Sequence, residues 1–99
     1  MSYEVRYTDT ALTDLRRLMD FVEETDSALA DRALDAIVRA SALLELFPFT
    51  CRKASADNPF QRELVVSFGA AGYVVLFDIS GNQVTIVALR HQREDDILY

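Results

Sequence analysis

The feature that most constrains the fold lies in the second half of the chain. Three segments rich in β-branched and aromatic residues follow one another there: Gln61-Arg-Glu-Leu-Val-Val-Ser-Phe68, Tyr73-Val-Val-Leu-Phe-Asp-Ile79 and Gln83-Val-Thr-Ile-Val-Ala-Leu-Arg90. Only Gly69-Ala-Ala-Gly72 and Ser80-Gly-Asn82 separate them. Short glycine-containing turns of this kind join antiparallel neighbours, because a parallel crossover needs a dozen or more residues. The three segments are therefore expected to form a meander. Residues 64–66 and 73–77 are almost continuously apolar, as strands are when the second face of their sheet is also partly covered.

The first half has helical periodicity. Tyr3-Glu-Val-Arg-Tyr7 alternates polar and apolar residues, which predicts one short half-buried strand. Thr8-Asp-Thr10 then offers oxygens to cap a helix start. Leu12, Leu15, Leu18/Met19 and Val22 recur at helical spacing, and Thr25-Asp-Ser27 interrupts and caps again. A longer helix follows, with Ala30, Ala33/Leu34, Ile37, Ala40/Ser41 and Leu44 on one face, and Pro48 marks its end. Residues 49–59, with the Asp57-Asn-Pro59 turn, read as irregular. The expected class is α+β in the order β-α-α-β-β-β, a helical hairpin packed on one face of an antiparallel sheet. The first strand must pair with one of the later ones. All 99 residues are expected to form one domain.

Composition removes several function classes. No apolar run approaches the roughly 20 residues that span a bilayer, and no signal-peptide pattern opens the chain. The expected setting is therefore the cytoplasm, without membrane association. The single cysteine, Cys51, rules out an intrachain disulfide or a Cys-rich metal site, so no metal or cofactor is expected. The net charge is −6, whereas proteins that live on nucleic acid usually carry a basic footprint. The imbalance is local: residues 1–45 hold ten acids and five bases, residues 46–93 three acids and five bases, and residues 94–99 three acids.

The candidate site residues cluster late. Arg90, His91 and Arg93 end the last predicted strand, Glu94–Asp96 follow, and Tyr99 stands last. His91 is the one histidine of the chain. Arg62 lies on the first strand of the meander, and Arg52 and Lys53 sit in the loop before it. Each has a bland alternative: a hydrogen-bonded surface histidine, ion-paired strand arginines, a solvated loop. Cys51 reads as a small packing residue, since no His or Asn pattern suggests activation.

The element order and several local strings resemble the RelE/ParE superfamily of small bacterial toxins, over almost the whole chain. The opening strand followed by Thr8, Ala11 and Asp14-Leu15 is similar to the family opening. Leu44-Glu-Leu-Phe-Pro48 resembles the end of its second helix. Many ParE-type members then have a Gly-Arg corner, where this chain has Cys51-Arg52. Gln61–Val66 and Gly72–Phe77 look like the two central strands, and Leu89-Arg-His-Gln-Arg93 resembles the Arg-His-x-x-Arg string after the last one.

The resemblance implies a type II toxin-antitoxin system, with a cognate antitoxin that wraps the toxin with a helix and often an added strand, as a hetero-oligomer. It also implies one of two activities. RelE-type members are ribosome-dependent mRNA endoribonucleases, and here His91, Arg93, Tyr99 and Arg62 would be the catalytic candidates. ParE-type members, associated with plasmid stabilisation, inhibit DNA gyrase without that chemistry. Val74 stands where the RelE pattern places a catalytic Arg, and the acidic balance opposes direct RNA binding. Both put the gyrase reading first. Arg90, His91, Arg93, Arg52 and Lys53 are then partner-binding candidates, and Phe21, Leu29, Leu43 and Phe47 possible apolar contacts on the hairpin. A superfamily member acting only as a binding module is the further alternative.

Overall fold

A computed structural model describes residues 2–69 and 71–93. The elements are β1 (Glu4–Tyr7), α1 (Asp9–Glu23), α2 (Ser27–Ala42), β2 (Arg52–Lys53), β3 (Gln61–Phe68), β4 (Ala71–Ser80) and β5 (Gln83–His91). Both helix starts are capped as the sequence predicts. The Thr8 hydroxyl accepts from the Ala11 N–H at 3.1 Å, and the Asp26 carboxylate accepts from Ala28 and Leu29 at 3.0 and 3.2 Å. The second helix stops at Ala42, earlier than Pro48 suggests, and tightens into a 3-10 turn over Leu43–Glu45. Pro48 opens a second such turn, where its missing N–H has no bond to lose.

The sheet runs β1-β5-β4-β3-β2. The meander β3-β4-β5 is antiparallel, as expected. Two strands refine the picture. Arg52 and Lys53, read as loop, add a two-residue antiparallel edge to β3. β1 pairs with β5 in parallel, Val5 level with Val84 and Tyr7 with Ile86, so the whole sheet is mixed. Apolar alternation specifies which face a strand buries but not its direction. The direction is set by where the hairpin must go: β1 ends level with Ile86, and α1 continues beside the rest of β5. There the Thr8 hydroxyl donates to the Val87 carbonyl at 3.5 Å, and the Leu89 N–H donates to the Asp14 carboxylate at 3.0 Å. Side chains of α1 thus satisfy the β5 edge beyond the reach of β1.

Both helices cover one face, α1 over β5 and α2 over β3. The core between them contains Ala11, Leu18, Ala33, Ile37 and Leu44 from the helical half. The sheet contributes Val66, Tyr73, Val75, Phe77, Ile86 and Leu89. Leu12 is half exposed, and Ala11 takes its place in the buried stripe with Leu15 and Leu18. Ser41, buried in α2, accepts the Tyr7 hydroxyl and donates to the Ile37 carbonyl, both at 2.8 Å. That chain satisfies the polar atoms that α2 carries into the core. A bulge at Leu76/Phe77 leaves Val87 unpaired and adds twist where α1 crosses.

Candidate functional site

Consecutive strand residues point to opposite faces, and this divides the closing string of β5. Arg90 lies level with Val74 on the face away from the helices, and His91 lies level with Tyr73 on the helix side. On the open face, Arg90 Nη2 is 3.2 Å from one oxygen of Glu63, and Arg52 Nε is 3.0 Å from the other. Glu63 sits on β3 level with Leu76, so its pairing with Arg90 bridges diagonally over β4. Val74, flanked in register by Val65 and Arg90, is 2% exposed although no helix covers this face. The centre of the open face is therefore valine, crossed by one carboxylate holding two guanidinium groups.

On the other side, α1 and the ends of β4 and β5 enclose a groove of about 920 Å³. Its walls include Arg16 and Phe21 of α1, Tyr73 of β4, and His91 and Arg93 at the end of β5. The His91 ring stands edge-on to Tyr73, centroids 5.6 Å apart at 90°. Its Nδ1 accepts the Arg93 N–H at 3.1 Å, so the neutral ring carries its proton on Nε2. The Gln92 N–H donates to the Gly72 carbonyl at 2.7 Å and holds this end of the strand against β4. Burial raises the pKa of the Tyr73 hydroxyl, which favours a neutral phenol.

Arg62 belongs to neither cluster. It lies on the helix side of β3, where Nε donates to the Pro59 carbonyl at 2.7 Å. Nη1 donates to the carbonyls of Phe49 and Cys51 at 3.2 and 3.0 Å. Its guanidinium lies 5.3 Å from the centre of the Phe49 ring. Arg62 is thus a clamp that shapes residues 49–59, and four contacts occupy its face. Lys53 is exposed on β2, level with Arg62. Cys51 is half buried with φ −74° and ψ 158°, so this corner is extended and needs no glycine conformation. Burial pushes its thiol pKa up and outweighs the lowering by Arg62, which opposes nucleophilic use.

The structure therefore brings His91 and Arg93 together, and Arg52 with Arg90, but does not unite the two pairs or add Arg62 to either. Tyr99 and Glu94–Asp96 lie outside the described residues. The sequence reading did not single out Glu63 as an anchor, Asp14 as the plug of the β5 edge, or Arg16 as a groove wall. For Arg16 there was a signal, a basic Arg16-Arg17 pair in an otherwise acidic half. Glu63 had none, because its partners are 11 and 27 residues away. Among the described residues, no three His, Cys, Asp or Glu side chains converge as a metal site. Nor is any helix there long and apolar enough to cross a membrane.

Residues 5–96 match the family described as the ParE toxin of the type II toxin-antitoxin system, parDE. The chain belongs to this ParE toxin family. Among curated relatives, the ParE-family chain is 34% identical over 84 residues to Toxin RelE3 of Caulobacter vibrioides, covering 85% of this chain and 88% of that one. Among solved structures, it resembles one described as the chromosomal ParDE TA system from P. aeruginosa, with a TM-score of 0.71. That match covers 90% of this chain and 95% of the other at 19% identity, and it shows a shared fold. The ParE-family protein is thus the toxin of a type II toxin-antitoxin system in the ParE/RelE superfamily, and such a toxin is paired with a cognate antitoxin.

Proposed function

We propose that this ParE-family toxin acts by binding rather than by catalysis, as an inhibitor of DNA gyrase, and that its antitoxin neutralises it in a hetero-oligomer. The observation that carries this reading is the open face of the sheet. Cleavage of RNA by its own 2′-hydroxyl needs a base, an acid and cations aimed at the phosphate. At the centre of this face Val74 offers none of these, and Glu63 holds both Arg52 and Arg90. An incoming phosphate would meet a carboxylate, and the net charge of −6 adds no attractive field. A protein target makes no such demand. Phe21, Leu43 and Phe47 are 74, 57 and 57% exposed, giving the hairpin apolar surface for such a partner.

The ribonuclease reading draws on His91 and Arg93 in one groove, and on the RelE name of the Caulobacter vibrioides relative. One pair of assays separates the two. Purified toxin at stoichiometric excess is expected to block supercoiling by gyrase and to leave mRNA on ribosomes intact. Uninhibited supercoiling sinks the proposal. Ribosome-dependent cleavage that Arg93→Ala abolishes would replace it with the enzymatic reading.

A further inference from the structure

The corner between α2 and β3 carries exposed rings that the fold holds in place. Phe47, Phe49 and Phe60 are 57, 44 and 56% exposed. Phe49 and Phe60 stand edge to face, centroids 6.2 Å apart at 75°. The Arg62 guanidinium lies against the Phe49 ring and donates to the Phe49 and Cys51 carbonyls. The Phe60 N–H donates to the Asn58 side chain at 3.0 Å, and the Phe60 carbonyl accepts the Ile79 N–H at 2.7 Å. Phe47 opens the same turn, its carbonyl accepting the Thr50 hydroxyl at 2.7 Å. Residues fixed in this way lose little freedom when a partner covers them. We propose, resting on the reading of the toxin as a gyrase inhibitor, that this corner is a contact surface for gyrase. The target presents an apolar side chain to the Phe49–Phe60 pair and a carboxylate to Lys53.

Charge selects that chemistry. Residues 46–62 hold Arg52, Lys53 and Arg62 against Asp57 alone, in a chain of net charge −6. Arg62 is engaged by the Phe49, Cys51 and Pro59 carbonyls, and Arg52 by Glu63. Lys53 is exposed, level with Arg62, and its ammonium has no hydrogen bond or ion pair among the described residues. It is the charge available to an incoming carboxylate. Two other occupants fit less well. Three half-exposed phenylalanines offer roughly 300 Å², against about 800 Å² per partner in a stable complex. A corner-to-corner pair of copies would therefore be too small, and it would set like charges together. A nucleic-acid strand needs several cations at its phosphates, whereas Lys53 alone is unengaged here. A small, rigid aromatic anchor belongs instead to one part of a larger protein interface.

The test is the toxin concentration that half-inhibits supercoiling by purified gyrase, measured for the full chain and its variants. Phe60→Ser is expected to raise it about tenfold or more, and Lys53→Glu roughly three- to tenfold. Lys53→Arg is expected to leave it unchanged, as is Leu12→Ser at a half-exposed apolar position on α1. Circular dichroism checks that each variant is folded, and Lys53→Glu, at a surface position, carries the test if Phe60→Ser is not. Inhibition by Phe60→Ser and Lys53→Glu as strong as by the intact chain overturns this surface and leaves the gyrase reading standing. Absence of inhibition by the intact chain overturns both. An equal loss with Leu12→Ser overturns the surface by spreading the contact over the hairpin. Binding of a single-stranded DNA oligonucleotide that Phe60→Ser abolishes, with inhibition unchanged, overturns it by making nucleic acid the occupant.

Discussion

The two faces of the sheet meet at adjacent residues of β5, and they differ in kind. His91 turns toward the helices, against Tyr73 and into a groove rimmed with arginine. Arg90 turns toward the uncovered face and is held by Glu63. The helix side is closed by packing and leaves one concave, partly apolar opening at its end. The open side is flat, with valine at its centre and its charge internally paired. The lesson is that a basic residue in this protein is informative only through its face. Arg93 is exposed at the groove wall, whereas Arg90 is paired with Glu63 and Arg62 is held by backbone carbonyls.

The comparison can be broken most severely from the packed side. Phe77→Ala is expected to remove about 3–5 kcal/mol, because a fully buried ring leaves a cavity in the core between the helices and the sheet. Equilibrium urea unfolding measures this, and a loss below about 1 kcal/mol would mean that the helix side is not the core. Gly72→Ala is next. A Cβ there would lie 2.2 Å from the Val66 carbonyl oxygen, so β3 and β4 must separate. A cost of about 2 kcal/mol is expected from such overpacking, together with changed His91 and Tyr73 resonances, since the Gly72 carbonyl also holds Gln92.

The open face is tested by Glu63→Gln. Neutralising the anchor leaves Arg90 and Arg52 without their carboxylate, and a loss of about 1–2 kcal/mol is expected, the Arg52 bridge adding little because it is largely exposed. If the open face lacks ribonuclease chemistry, the variant gains no mRNA cleavage although the carboxylate charge between Arg52 and Arg90 is gone; a gain would show that Glu63 was masking a site. Asp14→Ala should cost about 1 kcal/mol through the lost bond to the Leu89 N–H. Asp14→Asn should keep most of it, and hydrogen exchange at Leu89 distinguishes the two.

The smallest effect is on pH dependence. Burial raises the folded pKa of Cys51 above its ordinary value of 9.0, so the native state holds that proton more tightly than the unfolded chain. The contribution is fully present below about pH 9 and is lost as pH rises toward the folded value. Tyr73 behaves in the same way above its ordinary value of 10.0. Cys51→Ser is expected to flatten the onset of alkaline destabilisation in urea titrations near pH 9. An unchanged profile would show that the thiol is not desolvated.

Much of this was legible before the structure. Thr8 and Asp26 announced the helix starts, the glycine turns announced the meander, and the Ala33, Ile37 and Leu44 spacing announced the buried stripe of α2. These are local signals, carried within a few residues, and the family strings reinforced them. The candidate site was less legible, because its residues were chosen by their closeness in sequence. Arg90, His91 and Arg93 look like one cluster when written in a line, and a strand separates them onto two faces.

What the sequence determined alone was therefore the element order, the helix caps, the buried faces and the family. Each depends on periodicity or on side chains acting on nearby backbone. Only the tertiary structure decided that β1 runs parallel to β5, that Arg52 and Lys53 form an edge strand, and that Glu63 gathers two distant arginines. It also decided that α1 supplies Asp14 to the β5 edge, 75 residues away in sequence. These are pairings between groups whose encounter depends on how the hairpin folds back over the sheet. No local pattern encodes that encounter, since either direction of β1 buries the same Val5 and Tyr7.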